Sequence, residues 1–166
     1  MYFSGFCLEN EKDLFSEYLI ENDFTVSGFS YGAIKAVEYV LNTKNRVDTL
    51  QLFSPSYFND KNIKYKRMQL MYFKEDAATY SNNFLNNCGM DSKQQSKYFN
   101  LGLYEQLDEL LNYNWCEEKI KSVIKKGTII EIYLGVNDKI INSKEASEFF
   151  RRFGDVYYIK EKGHIL

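Results

Sequence analysis

The chain carries the pentapeptide Gly28-Phe29-Ser30-Tyr31-Gly32 between an apolar run at 24–26 and a segment of helical periodicity at 33–41. This order of strand, sharp turn and helix is what a nucleophile elbow requires. The turn strains the serine backbone, and the two glycines let the strand and the helix approach each other closely. We therefore predict that Ser30 is a nucleophile. The alternative is an ordinary Gly/Ser turn between a strand and a helix.

Other segments with strand character alternate with helical ones along the chain. The predicted strands are 1–3, 24–27, 47–53, 128–134 and 156–159. Asn10 is predicted to cap a helix after the first strand, and Asn142 with Glu145 resembles a capping box for a late helix. Strands that alternate with helices predict a parallel sheet with right-handed crossovers, which is an α/β fold.

The segment 56–126 is rich in Asn, Lys, Tyr and Gln and has no β-branched run. Its periodicity predicts short helices at 62–74, 76–88, 91–100, 103–113 and 116–126. Gly89 and Gly127 are plausible C-terminal caps. We call 56–126 the helical insertion and expect it to lie as a lid over the carboxyl ends of the strands, within one domain spanning 1–166.

Composition and charge exclude several classes of protein. A formal net charge of −2 argues against binding to nucleic acid or to an anionic membrane surface. The 14 Tyr and 13 Phe suggest either a pocket for an apolar substrate or a core built from rings. Cys7, Cys88 and Cys116 form no C-x-x-C pair, which argues against a zinc site and favours the reducing cytosol. We expect a cytoplasmic monomer without a signal peptide or a transmembrane segment.

A serine nucleophile needs a base, and the base needs an orienting carboxylate. His164 is the only histidine and follows the last strand, while Asp138 lies in the loop after the fourth strand. The order Ser30, Asp138, His164 is that of the α/β-hydrolases. Taken separately, His164 could be a frayed terminal residue and Asp138 a turn residue. Asp155 and Glu161 are rival acids, but neither has the usual loop position.

The tetrahedral intermediate of ester hydrolysis carries an oxyanion that needs two hydrogen-bond donors. One should be the backbone amide of Tyr31, which follows the nucleophile. The other should come from the loop after the first strand, where Phe6 is the candidate and Gly5 leaves room for the turn. This chemistry requires neither a metal nor a cofactor.

The segment 61–74 contains five basic residues and no acidic one. On a helix, Lys64, Arg67 and Lys74 share a face with Met71. This basic face either binds an acidic partner or is an ordinary solvated helix surface.

Several motifs together resemble those of the BioV-type pimeloyl-[acyl-carrier protein] methyl ester carboxylesterases, which are short α/β-hydrolases of biotin synthesis. The resemblance runs nearly end to end. It rests on Phe3-Ser4-Gly5-Phe6, residues 26–36 around the elbow, Leu52-Phe53-Ser54-Pro55, Phe73-Lys74-Glu75-Asp76, Gly135-Val136-Asn137-Asp138 and Gly163-His164.

The resemblance implies hydrolysis of the methyl ester of pimeloyl-acyl carrier protein. By analogy with longer esterases of the same reaction, Lys64, Arg67 and Lys74 would dock the acidic carrier protein, and Met68 and Tyr72 would line the acyl channel. It also implies a reduced fold of about five parallel strands, because the usual first, second and fourth strands are lacking. The usual helix after the histidine is lacking too, so we expect a less constrained His164.

Two other functions stay open at this point. The chain could be a general short-chain esterase or thioesterase without a preference for a carrier protein. It could also be a non-catalytic module that only binds acyl carrier protein.

Overall fold

The computed structural model describes all residues from 1 to 166 and contains one five-stranded sheet. The strands are β1 (Tyr2–Phe3), β2 (Thr25–Phe29), β3 (Thr49–Phe53), β4 (Ile129–Gly135) and β5 (Asp155–Ile159). They lie in the sheet in their order along the chain, and every neighbouring pair is parallel. The structure therefore confirms the expected sheet of about five parallel strands.

The register of the sheet aligns a row of aromatic side chains across four strands. Phe29 pairs with Phe53, Phe53 with Tyr133, and Tyr133 with Tyr157. The ring centroids of Phe53 and Tyr133 are 5.1 Å apart, and those of Tyr133 and Tyr157 are 4.7 Å apart. The ring of Phe15 lies 4.8 Å from both Phe29 and Phe53. This row shows that part of the aromatic content builds the core.

The helices lie close to their predicted positions. They are α1 (Tyr31–Asn42), α2 (Ile63–Glu75), α3 (Ala77–Cys88), α4 (Ser92–Tyr98), α5 (Tyr104–Asn112), α6 (Glu117–Lys125) and α7 (Ser143–Phe150). Gly89 ends α3 with φ of 91°, and Gly127 follows α6 with φ of 85°, a conformation that glycine adopts without steric cost. The side chain of Asn142 accepts a hydrogen bond from the amide of Glu145. The predicted caps at these three positions are confirmed, but the capping box at Asn142 is incomplete because the Glu145 side chain accepts no bond from the Asn142 amide.

The segment after Asn10 forms a different type of helix from the one predicted, and Asn10 does not cap it. The segment Glu11–Phe15 is a short 3-10 helix, and Asn10 has a left-handed φ of 60° and makes no capping hydrogen bond. The reason is that Glu11 is drawn into the interior, where its carboxylate accepts a hydrogen bond from the amide of Gly5. Burying that side chain turns the backbone away from the geometry of an N-terminal cap.

The helical insertion contributes α2 to α6, which all lie between β3 and β4 in the chain. Within it, α5 and α6 contact α1. A cavity separates the inner side chains of the insertion from Lys139 and Ile140, which lie in the loop after β4. The insertion is thus placed at the carboxyl end of the sheet. No helix combines the length and the apolar composition that crossing a bilayer requires.

Candidate active site

The backbone between β2 and α1 has the geometry of a nucleophile elbow. Ser30 has φ of 52° and ψ of −112°, values that a residue with a side chain adopts only when the surrounding structure enforces them. A methyl group on Gly28 would collide with the backbone of Gly32, and one on Gly32 would collide with the backbone of Phe3 and Ser4. Glycine at both positions therefore lets β1, β2 and α1 pack against one another.

The elbow is also tied to the segment that follows β3. The carbonyl oxygen of Ser30 accepts hydrogen bonds from the amide of Ser56 at 3.3 Å and from its hydroxyl at 3.2 Å. The indole of Trp115, which lies in the helical insertion, donates to the carbonyl of Ser56 at 2.9 Å. Sequence reasoning missed Ser56, because the only signal at this point was the proline that stops the strand.

Ser30, His164 and Asp138 are brought together in one hydrogen-bonded chain. The distance from Ser30 Oγ to His164 Nε2 is 2.9 Å, and that from His164 Nδ1 to Asp138 Oδ2 is 2.7 Å. Ser30 and His164 have no solvent exposure, and the side chain of Asp138 has none either. The three side chains come from the ends of three different strands, which the parallel sheet places at one edge.

The carboxylate of Asp138 determines which nitrogen of the imidazole carries the proton. An ionised carboxylate only accepts, so His164 Nδ1 donates to it and Nε2 is left free to accept from the hydroxyl of Ser30. The other carboxylate oxygen, Asp138 Oδ1, accepts from the amides of Ile140 at 2.7 Å and Ile141 at 3.1 Å. These two bonds hold the carboxylate in a single orientation.

His164 is well constrained, contrary to the expectation of a loose histidine. Its ring packs against the ring of Phe29 at 5.1 Å and lies edge-on to that of Phe84 at 6.5 Å. The next residue, Ile165, donates its amide to the carbonyl of Cys88 at 3.2 Å, and Leu166 is buried. These contacts with the core and with α3 hold the imidazole in place.

The rival acids lie outside this arrangement. Asp155 begins β5 and Glu161 lies in the turn after that strand, and both are exposed. Asp138 is the carboxylate that bonds to His164. No group of three or more His, Cys, Asp or Glu side chains is arranged to hold a metal ion.

Three backbone amides, those of Phe6, Cys7 and Tyr31, are candidates for oxyanion donors. Phe6 is buried, yet its amide donates to no acceptor in the protein. The amide of Cys7 likewise has no acceptor. Tyr31 is the first residue of α1, where an amide has no acceptor within the helix and the helix dipole favours negative charge. Buried amides are almost always paired, so an unpaired one at this place is poised to bind an anion.

The cavity between the insertion and the sheet has a volume of about 480 Å³. Tyr72 lines it, together with Tyr65 and Gln69. Met68 does not line the cavity and is 37% exposed. The prediction that Met68 lines this cavity is therefore wrong. Tyr65, Gln69 and Tyr72 follow one another at spacings of four and three residues, so they share the face of α2 that is turned toward the cavity, and Met68 lies outside that face.

Phe84 separates the cavity from the catalytic side chains. Its ring lines the cavity, and the same ring lies 5.4 Å from the ring of Phe6 and 6.5 Å from that of His164. Sequence reasoning did not single out Phe84, because an aromatic residue on a helix carries no signal of what it faces.

The three basic residues of the predicted docking face, Lys64, Arg67 and Lys74, are exposed on α2. Lys64 and Arg67 are exposed and form no ion pair with an acidic side chain. Lys74 is exposed as well and lies 4.4 Å from the centre of the Tyr104 ring. Met71, on the same face, is 50% exposed. The face predicted from helical spacing is therefore present on the surface.

A polar cluster ties α5 of the insertion to α1 beside the elbow. The carboxylate of Glu109 accepts from the hydroxyl of Tyr31 at 2.5 Å and from the ammonium of Lys35 at 2.6 Å. Burial by itself would raise the pKa of Glu109, but the hydrogen bonds from Lys35 and Tyr31 outweigh it and hold that pKa below its usual range. Burial and the bond to Glu109 raise the pKa of Tyr31.

The fold is shared with solved α/β-hydrolases. A hydrolase from Oleispira antarctica matches with a TM-score of 0.64 at 12% identity, over 86% of this chain and 58% of that one. Carboxylesterase CesB from Bacillus subtilis matches with a TM-score of 0.52 at 16% identity, over 93% of this chain and 57% of that one. An esterase from Exiguobacterium antarcticum matches with a TM-score of 0.56 at 16% identity, over 84% and 59%.

These likenesses show that the chain has an α/β-hydrolase fold, reduced to five parallel strands. The chain spans less than two thirds of the length of each of these three proteins. No family model and no curated protein matches its sequence.

Proposed function

We propose that this protein is a serine carboxylesterase that hydrolyses the methyl ester of pimeloyl-[acyl-carrier protein] to pimeloyl-[acyl-carrier protein] and methanol, in biotin synthesis. The observation that carries the esterase activity is the hydrogen-bonded chain from Ser30 through His164 to Asp138, with distances of 2.9 Å and 2.7 Å. This arrangement makes a poor nucleophile reactive at neutral pH. The fold that the chain shares with carboxylesterase CesB supports the same class of reaction.

In the acylation step, Ser30 Oγ attacks the ester carbonyl carbon while His164 Nε2 accepts the hydroxyl proton. The carbonyl oxygen becomes an oxyanion, which the amides of Phe6 and Tyr31 bind. The intermediate then collapses, the bond from carbon to the methoxy oxygen breaks, and His164 gives its proton to the leaving methanol. Asp138 stabilises the imidazolium throughout this step.

In the deacylation step, water attacks the acyl-enzyme while His164 accepts one of its protons. A second oxyanion forms in the same site and collapses, and the bond to Ser30 Oγ breaks. His164 returns the proton to the serine, and the product leaves as a free ω-carboxylate still attached to its carrier.

The narrower substrate is supported by the sequence resemblance, the cavity and the distribution of charge. Aromatic and aliphatic side chains line the cavity, among them Phe58, Leu110 and Leu111, as an acyl chain requires. The unpaired cations Lys64 and Arg67 lie on the outer surface of the same insertion, where an acidic carrier protein would dock. Because Ser30 is completely buried, we infer that the insertion acts as a lid that moves to admit the ester.

The three cysteine thiols agree with the cytoplasmic location expected from the sequence, where a carrier-bound substrate would be met. Cys7 and Cys88 are buried free thiols and Cys116 is a partly exposed one, and free thiols persist in a reducing compartment.

A fluorophosphonate probe tests whether the chain is a serine hydrolase of any kind. The probe should label the protein at Ser30, and the variant Ser30→Ala should not react. Absence of labelling in the unaltered protein would favour a non-catalytic module that binds a carrier protein.

Mass spectrometry of methyl pimeloyl-carrier protein tests the substrate. Incubation with the enzyme should remove one CH2 unit from the mass of the carrier, and Ser30→Ala should leave the mass unchanged. Hydrolysis of small esters without reaction of the carrier-bound ester would favour a general short-chain esterase or thioesterase.

Charge neutralisation tests docking of the carrier. The double variant Lys64→Gln/Arg67→Gln should lower kcat/KM for the carrier-bound ester by about tenfold and leave a small free ester unaffected. The exposed residues Lys93 and Lys144 supply a matched control, since neutralising both removes the same charge from other surfaces. An equal loss on both substrates would refute docking at this face.

A further inference from the structure

Glu11 is a completely buried carboxylate outside the catalytic triad. It has no solvent exposure and forms no ion pair. Its Oε1 atom accepts hydrogen bonds from the amide of Gly5 at 2.8 Å and from the hydroxyl of Tyr2 at 2.9 Å, while Oε2 has no partner. Burying a carboxylate without a cation is costly, and an apolar side chain of similar size would avoid that cost.

The group that Glu11 holds lies one residue before an oxyanion donor. Gly5 precedes Phe6, whose buried amide has no acceptor in the protein. Gly5 is needed because a side chain there would collide with the ring of Phe29. Glycine also leaves the backbone freer than any other residue would, so the direction of the next amide depends on an external anchor.

The downstream side of the same loop is anchored on the helical insertion. The amide of Asn100 donates to the carbonyl of Cys7 at 3.0 Å, and the amide of Glu9 donates to the carbonyl of Tyr98 at 2.8 Å. Within the loop, the amide of Leu8 donates to the carbonyl of Gly5 at 3.3 Å and closes the turn around Phe6. The shorter bond of 2.8 Å from the Gly5 amide to Glu11 ties this turn to a segment outside the insertion.

We infer that Glu11 is a positioning residue: by holding the amide of Gly5, its carboxylate keeps the amide of Phe6 directed at the oxyanion that forms when Ser30 attacks. This inference rests on the proposed esterase function. Tyr2 supports the same arrangement, since burial and the neighbouring Glu11 carboxylate raise the pKa of its phenol and keep it a donor.

The variant Glu11→Met tests the inference, because methionine has a similar volume and accepts no strong hydrogen bond. The substrate is a p-nitrophenyl ester, and the inhibitor is an alkyl trifluoromethyl ketone, which adds to the serine as a hemiketal oxyanion. We expect kcat to fall about 10- to 100-fold with KM unchanged. This loss is smaller than the roughly 100- to 1000-fold loss on removing an oxyanion donor, because the Phe6 amide is displaced and not removed. The inhibition constant of the ketone should rise by the same factor.

Two further variants separate positioning from a general effect on the fold. Glu11→Gln keeps an oxygen acceptor for Gly5 and should restore most of kcat and of the affinity for the ketone. Glu17→Gln removes an exposed carboxylate nearby and should behave like the unaltered protein. Thermal unfolding should show that Glu11→Met is folded at the temperature of the kinetic assay, even though two buried donors lose their acceptor.

An unchanged inhibition constant in a folded Glu11→Met variant would overturn the inference. Amide hydrogen exchange in the unaltered protein is an independent test: the Gly5 amide should exchange as slowly as those of β2, and rapid exchange would also overturn it. If the unaltered protein neither hydrolyses the ester nor reacts with a fluorophosphonate, the proposed function fails instead.

Discussion

Replacing Asp138 with Asn should abolish most of the activity without disturbing the fold. The change preserves size and shape and alters only which atoms donate and accept. In the structure, Asp138 Oδ1 accepts from the amides of Ile140 and Ile141 at 2.7 Å and 3.1 Å. The carbonyl oxygen of the asparagine must take that place, so its NH2 group would face His164 Nδ1.

This orientation forces the wrong tautomer on the imidazole. Two donors cannot share the 2.7 Å separation seen between His164 Nδ1 and the carboxylate. The proton therefore moves to Nε2, which can then no longer accept the hydroxyl proton of Ser30.

The magnitude follows from the cost of the alternative orientation. Turning the asparagine amide over would restore the correct tautomer but lose both backbone bonds, at about 1–3 kcal/mol each. A total of about 2–6 kcal/mol makes the active arrangement roughly 30- to 10⁴-fold rarer. The upper end agrees with the loss of about 10⁴ in kcat that the same change causes in a serine protease.

Steady-state hydrolysis of a p-nitrophenyl ester measures the loss, and thermal unfolding checks the fold. Asp155→Asn and Glu161→Gln serve as matched controls, because both carboxylates are exposed and lie near β5. A folded Asp138→Asn variant that retains activity within about threefold would refute the tautomer argument. A comparable loss in Asp155→Asn would show that the wrong acid has been assigned.

Three further outcomes can be checked independently. The pKa of Glu109 is lower in the folded state than in the unfolded state. Its contribution to the free energy of unfolding is therefore fully present above the unfolded-state pKa and is lost as the pH falls through the folded-state pKa. Urea unfolding should thus show Glu109→Gln less stable by about 0.2–1 kcal/mol at neutral pH and equal in acid; a gap independent of pH would contradict this. Phe84→Ala should extend the cavity toward His164 and raise kcat/KM for branched acyl esters about tenfold relative to linear ones; an unchanged ratio would show that the Phe84 ring does not limit access to His164. Burial raises the pKa of the Cys7 thiol to about 11, so peptide mapping after iodoacetamide treatment should find Cys116 modified first and Cys7 only after unfolding; equal rates would argue against that burial.

Much of the architecture was predictable because its signals are local. Steric conflict in the elbow allows only glycine at positions 28 and 32, and a left-handed φ favours glycine after α3 and α6. Helical periodicity placed five short helices in the insertion, and apolar runs placed five strands. Each of these features depends on residues within a turn or two of one another.

The roles of Ser30, Asp138 and His164 could likewise be assigned from their positions after three predicted strands. Parallel strands bring their carboxyl ends to one edge, so side chains that follow three such strands meet there wherever they stand in the chain. Their pairing at 2.9 Å and 2.7 Å is the structural consequence of that topology.

Contacts between distant segments were not predictable, since no local pattern encodes which side chains face each other. Asn10 was predicted to cap a helix, yet the next residue, Glu11, is buried and accepts a hydrogen bond from the amide of Gly5, and Asn10 makes no capping bond. Met68 and Tyr72 lie one helical turn apart, and the rotation of α2 against its neighbours alone places Tyr72 at the cavity.

The amino-acid order alone thus sufficed for most of the elements and for the chemistry at three strand ends, because steric and periodic preferences act over a few residues. The number of strands in the sheet was expected from the family resemblance. Packing of the insertion on the sheet was needed to bury the triad, to place Phe84 between the cavity and His164, and to anchor the loop that carries Phe6. Those features arise from the free energy of contacts between segments far apart in the chain, which exist only once the whole domain has formed.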